Sequence, residues 1–271
     1  MNQIKIIAEI GWNHMGNMTL AKKMISMAKK NGADFCKFQT WSESNLKPGA
    51  WDNDGRRKIY KKAELTLQKH LLLKKYCKKI GISFLTSVFS IKDLALLNKV
   101  KVKEIKIPSH EIHNIKLIEE ASKKFKRVYI STGASKWREI IKIKKKLKKK
   151  NLVLMHCVSA YPCSIDKINI PRLHKLKKLN YDIGYSGHYQ GIDDAIAAIC
   201  NGAKFVEKHF TINNKLPGRD NKFAILPNEL KKLSNFRDNY QKMLIDRGLD
   251  LQKCEMDIYK KYRGRWNKKY E

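Results

Sequence analysis

Short apolar runs alternate with lysine-rich segments of helical period along nearly the whole chain. The runs at 4–10, 35–39, 83–88, 104–107, 127–131, 152–158, 182–185 and 205–209 predict eight strands. Between and after them lie helical patterns: TLAKKMISMAKKNGA, LTLQKHLLLKKYCKKIG, IKDLALLNKV, NIKLIEEASKKF, KWREIIKIKKKLKKK, PRLHKLKKLN, IDDAIAAICNGA and PNELKKLSNFRDNYQKML. Gly32, Gly81 and Gly202 follow three of these helices, where a left-handed cap belongs. Strand–helix alternation favours parallel βαβ units. Eight such units over residues 1–248 match the size and count of a single-domain α/β fold, the (β/α)8 TIM barrel. A doubly wound open sheet is the alternative, and the repeat count disfavours it. Residues 249–271 form a basic, aromatic tail too short for a domain.

Composition narrows the picture. At 42% hydrophobic the chain can bury a substantial core, and no apolar run reaches a membrane-spanning length. The start, MNQIKIIAEIG, shows no secretory pattern, so a cytoplasmic protein with reduced thiols is expected. The six cysteines form no C-x-x-C pair, and Cys36, Cys157 and Cys200 read as small buried hydrophobes. A formal net charge of +33 raises the question of nucleic acid. The excess is nearly all lysine spread over the predicted helices, arginine is scarce, and no aromatic-interleaved basic motif is present. Even the densest run, 141–151, keeps Ile141, Ile143 and Leu147 on one side, as a solvated amphipathic helix does. Neither a nucleic-acid nor a membrane partner is expected; diffuse steering of anionic substrates is.

In such a barrel the chemistry sits at the C-terminal ends of the strands. Those ends carry Glu9, Asn13 and His14; Lys37, Gln39 and Thr40; Thr86 and Ser87; Lys106, Ser109, His110 and Glu111; Ser131 and Thr132; His156, Ser159 and Tyr161; Ser186 and His188; and Glu207, Lys208, His209 and Thr211. So many polar groups on one rim would be unfavourable for stability alone. Lys37 and Lys106, with hydroxyls at Thr86, Ser109, Ser131 and Ser186, suit a phosphate and a carboxylate. An internal Lys37–Glu9 ion pair is the competing reading. His188 and His209 end successive strands and suit a divalent Mn, Fe, Co or Zn ion; two separately hydrogen-bonded core histidines are the alternative.

The blocks IAEIGWNHMGNMTLAKKMISMAKKNGADFCKFQTW, KIPSHEIHN, STGAS, HCVSAYPC, GYSGH and EKHFTINNKLPGRD resemble, in order, the signature blocks of the sialic acid synthase family. The resemblance implies a (β/α)8 barrel that condenses phosphoenolpyruvate with the open-chain aldehyde of an N-acyl hexosamine, giving a nonulosonate and phosphate. It implies that His188 and His209 hold a divalent metal, usually Mn2+. Lys37, Thr86, Lys106, Ser109, Ser131 and Ser186 would bind phosphoenolpyruvate, and Tyr161 would line the cleft. Gln39, Glu111 and Asp220 would hold the sugar, and Glu9 would orient water or exchange a proton.

Departures from the family pattern qualify this expectation. Gly187 stands where G-x-S-D-H has aspartate, His110 where K-I-x-S-G-E has glycine, Ser159 where asparagine often serves the anion site, and Arg219 where L-P-G-P-D has proline. Arg219 is expected to be exposed; contact with an acidic substituent on the sugar is the alternative. Family members usually continue into an antifreeze-like domain that reaches across a dimer and places an arginine on the sugar. No such domain is expected here, which leaves a homodimer or a separate antifreeze-like chain as open partners. Arg263 and Arg265 are weak stand-ins for that arginine. The alternative function is a barrel with a decayed metal site that binds an anionic sugar or nucleic acid.

Overall fold

A computed structural model describes residues 3–50, 52–147 and 151–266. The strands are β1 (Lys5–Gly11), β2 (Phe35–Thr40), β3 (Ser83–Val88), β4 (Glu104–Ile107), β5 (Arg127–Ser131), β6 (Leu152–Cys157), β7 (Asp182–Gly187) and β8 (Phe205–His209). They pair in parallel in chain order, and β8 returns to β1, closing the barrel. The helices are α1 (Met18–Lys30), α2 (Arg56–Ala63), α3 (Leu67–Ile80), α4 (Ile91–Val100), α5 (Ile115–Lys124), α6 (Trp137–Lys146), α7 (Arg172–Lys177), α8 (Asp193–Cys200), α9 (Pro227–Met243) and α10 (Met256–Lys261).

Local chemistry sets the helix ends. Asn17 accepts from the Leu20 amide to start α1, and Ser90 with Asp93 forms a capping box at α4. Gly32 ends the first unit at φ +90°, and a Cβ there would lie 2.4 Å from Ser234 Oγ on α9. Only glycine permits both the left-handed turn and that approach. Asp34, at the start of β2, accepts from the Ile6 amide (2.9 Å) and from Arg237 Nη1 of α9 (2.6 Å). These bonds tie the last barrel helix across the closing seam.

The main core lies between strands and helices. A second cluster of Ile7, Phe35, Leu85, Tyr129, Val153, Met155 and Phe205 fills the lower lumen, as period-two alternation requires. Several expectations change in detail. Helix α2 was not anticipated, because only Ala63 in it is buried and the stretch has no apolar stripe. Ile140, rather than Ile141, joins Ile143 and Leu147 in the core, and Lys148–Lys150 of the basic run lie outside the described residues. Cys200 is exposed, not buried, since it sits at the last turn of α8 facing away from the barrel; Cys36 and Cys157 are buried. Arg263 and Arg265 stack on Tyr259 and Tyr262 of their own tail. Among the described residues no helix is long and apolar enough to cross a membrane.

Because Leu85 is fully buried in the lumen cluster, Leu85→Ala should lower unfolding free energy by about 2–5 kcal/mol in a urea titration.

Candidate active site at the barrel mouth

Above the apolar plug the same inward faces turn polar. Lys37 Nζ touches the Glu9 carboxylate, donates to Ser87 Oγ (2.9 Å) and lies 3.7 Å from Glu207 Oε1. Lys106 Nζ donates to Glu207 Oε1 (2.6 Å) and to Ser186 Oγ (3.0 Å). Gln39 Nε2 donates to Glu9 Oε1 at 2.7 Å. None of the four charged groups is more than 3% exposed.

Burial pushes the Glu9 carboxyl up to about 7; Lys37 opposes the rise and the Glu207 charge adds to it. Burial would raise Glu207 as well, but Lys106 and Lys37 outweigh it and hold that carboxyl below its ordinary value. With a proton on Glu9, the cluster has two ammonium groups facing one carboxylate. That surplus suits an arriving anion. The Ser131 hydroxyl is buried without a partner. Beside it, a Cβ at Gly133 would meet Ser159 Oγ at 2.4 Å and Ser109 Oγ at 2.8 Å, so both hydroxyls converge on that backbone.

Nearer the opening the His188 and His209 rings lie 5.4 Å apart, centre to centre. His188 Nδ1 donates to the Val158 carbonyl (2.7 Å), which leaves Nε2 as the nitrogen able to accept. His209 Nδ1 is buried without a hydrogen bond, 3.4 Å from Asp220 Oδ2. Burial, with the His188 and Lys37 charges, holds His209 well below the usual histidine range, so its ring is neutral. For His188 burial also favours the neutral ring, but the nearby Cys157 sulfur and the Val158 carbonyl outweigh it and raise the pKa. Burial lifts Asp220 to about 6, against the pull of His188. Tyr161, 55% exposed, packs its ring 4.0 Å from that of His188. Phe223 closes the far side, 5.1 Å from His209.

Most predicted residues therefore meet at one mouth, and Lys37 makes the internal ion pair with Glu9 that was its competing reading, while also donating to Ser87. Thr86 does not join them. It faces the helices, where its hydroxyl bonds Thr40, which in turn bonds His70. Ser87, one residue on, takes the lumen place beside Lys37. Lys208 also points outward, to Asp194 of α8 (2.8 Å), and His156 bonds the Ile168 carbonyl. Glu111 is half-buried and accepts from Asn114 at 3.4 Å, while His110 packs on Phe89. Arg219 is exposed and pairs with Asp54 at 3.0 Å. Glu207 was visible on the strand-eight rim, yet its role between the two lysines was missed. Its spacing of two from His209 places it on the same face and was the available signal.

The NeuB family model matches residues 24–247. The chain belongs to the NeuB family. It is 36% identical over 264 residues to N,N'-diacetyllegionaminic acid synthase of Campylobacter jejuni, covering 91% of this chain and 79% of that protein. Human N-acetylneuraminate-9-phosphate synthase is 32% identical, with 93% and 74% covered. The crystal structure of an N-acetylneuraminic acid synthetase from Leptospira borgpetersenii superposes with a TM-score of 0.86 at 33% identity, covering 98% of this chain and 93% of that one. This NeuB-family barrel is an enzyme of the sialic acid synthase type.

Glu9 gives the site a pH signature. Its folded pKa of about 7 exceeds the ordinary 4.5, so the native state binds the extra proton. Its contribution to stability is complete below pH 4.5 and is lost as pH rises through 7. Urea midpoints should therefore fall between pH 5 and 7.5, and Glu9→Gln should shrink that difference. An undiminished difference in Glu9→Gln would show that other groups carry it.

Proposed function

We propose that this chain condenses phosphoenolpyruvate with the open-chain aldehyde of an N-acyl hexosamine, N-acetylmannosamine or a relative, to give a nonulosonate and phosphate. The observation that carries the reading is the neutral His209 beside His188, close enough to the two buried lysines to feel their charge. The relatives' names support it: they are synthases of legionaminic acid and of N-acetylneuraminate 9-phosphate.

Among the described residues no cluster of three or more His, Cys, Asp or Glu is grouped as a metal site. The histidine pair nevertheless fits a loosely held ion, because His188 presents Nε2 and His209 keeps a buried nitrogen unbonded. His188 and His209 would hold a divalent ion, Mn2+ by family resemblance. When bound, it supplies Lewis acidity to the sugar aldehyde.

The chain's own groups do the rest. Lys37, Lys106 and the hydroxyls of Ser87, Ser109, Ser131, Ser159 and Ser186 bind the phosphate and carboxylate. They are fixed before substrate arrives, so they stabilise anionic charge without reorganising. The enol carbon then attacks the aldehyde carbon. Water adds to the resulting cation at the phosphate-bearing carbon, and the C–O bond to phosphate breaks. Glu9, with a pKa near neutrality, is suited to exchange the proton that this addition releases. Gln39, Glu111 and Asp220 serve the sugar, and Tyr161 shields the reacting carbons from solvent.

Phosphate release is measured with phosphoenolpyruvate, Mn2+ and either N-acetylmannosamine or a 2,4-diacetamido sugar. Release should require a sugar, disappear in His188→Ala, and fall roughly 10²–10³-fold in Lys106→Met. No release with any sugar, alongside salt-sensitive binding of nucleic acid, would sink the reading in favour of a binding protein.

A further inference from the structure

A second cavity opens outside the mouth, between the β5–α6 and β6–α7 connections. It measures about 340 Å³ and is lined by Ser135, Trp137, Asn169, Pro171, Arg172 and Lys175. None of these belongs to the mouth described above, and none is an acid. Arg172 Nη2 donates to the Thr132 carbonyl at 2.9 Å, and among the described residues no carboxylate pairs with Arg172 or Lys175. Burial lowers the Arg172 pKa. A half-buried cation without a counter-ion is unfavourable, and an anion in the cavity relieves it. Trp137 is 41% exposed, so the same cavity offers an open indole.

The cavity shares a wall with the anion site. Ser135 Oγ donates to the same Thr132 carbonyl at 2.8 Å. Thr132 follows Ser131, whose hydroxyl is buried without a partner, and precedes Gly133, on which Ser109 and Ser159 converge. Ala134 (φ +46°) and Asn169 (φ +55°), one from each connection, hold left-handed backbone beside the cavity. Non-glycine residues kept in that region gather where ligands bind.

We infer that this cavity binds a nucleoside monophosphate, with its phosphate on Arg172 and Lys175 and its base stacked on Trp137. Arginine presents a planar fork that matches phosphate oxygens, and Lys175, three residues on in α7, adds a point charge on the same helix face. Ligand cavities span about 300–1,000 Å³, so this one takes a mononucleotide rather than a dinucleotide. A phosphate that engages Arg172 competes with the Thr132 carbonyl for the guanidinium. Occupation therefore slackens the turn at 131–133 and weakens anion binding in the mouth.

The test is calorimetric titration of the full chain with adenosine 5′-monophosphate at about 0.15 M salt, where diffuse attraction to a basic surface is screened. One site is expected, with ribose 5-phosphate and inorganic phosphate bound about tenfold more weakly because they cannot stack. Trp137→Ala should bring the nucleotide down to the level of ribose 5-phosphate, and the exposed change Lys175→Ala should weaken both a few-fold. No saturable binding, equal affinity for the two phosphate esters, or undiminished binding in Trp137→Ala overturns the proposal. Phosphoenolpyruvate is then titrated with and without saturating nucleotide. Its affinity should fall several-fold, and Trp137→Ala should abolish the effect; an unchanged affinity overturns the link through Thr132. That last arm rests on the function proposed above. A chain that binds the nucleotide and no phosphoenolpyruvate refutes that function and leaves this site standing.

Discussion

Eight parallel strands closed into a ring leave no edge through which a polar side chain could reach water. Alternate residues must face either the lumen or the helices. Below, the lumen is filled with apolar side chains; one layer higher it holds Glu9, Lys37, Lys106 and Glu207. Removing such charges from water is unfavourable, and only mutual pairing or an arriving ion offsets it. The pairing is unequal. Glu207 is shared by both lysines and stays ionised, whereas Glu9 readily takes a proton. Under the proposed reaction, an anion would therefore enter without first dismantling the whole network.

The strand count, the barrel and the two histidines were readable because each rests on a repeated pattern. Parity was harder to read. Whether Thr86 or Ser87 faces the lumen depends on register, and register is set by neighbouring strands: Gln39 pairs with Ser87 and Phe38 with Thr86. Lys208 gave the same difficulty, since a lysine at a strand end looks alike whichever way it points. Helix α2 carries no apolar stripe at all, so no periodic signal announced it.

The site divides between rigid and variable parts. The charged layer stands on strands, whereas the opening is shaped by loops. The segment between β2 and α3 packs Trp41 and Tyr60 against Trp12, and Asp54 from the same segment reaches Arg219 beyond β8. Strand-borne groups hold position for a reaction common to the family, and loops are where such scaffolds vary what they accept.

The plug formed by Tyr129, Phe205 and their neighbours has a temporal consequence as well as a mechanical one. With the bottom sealed, the well has a single door. Under the proposed reaction, the ligand of the lysines lies deeper than the ligand of the histidines, and the second covers the first. Depth thus imposes a queue: the enol phosphate must enter first, and the inorganic product waits behind the sugar acid for its exit.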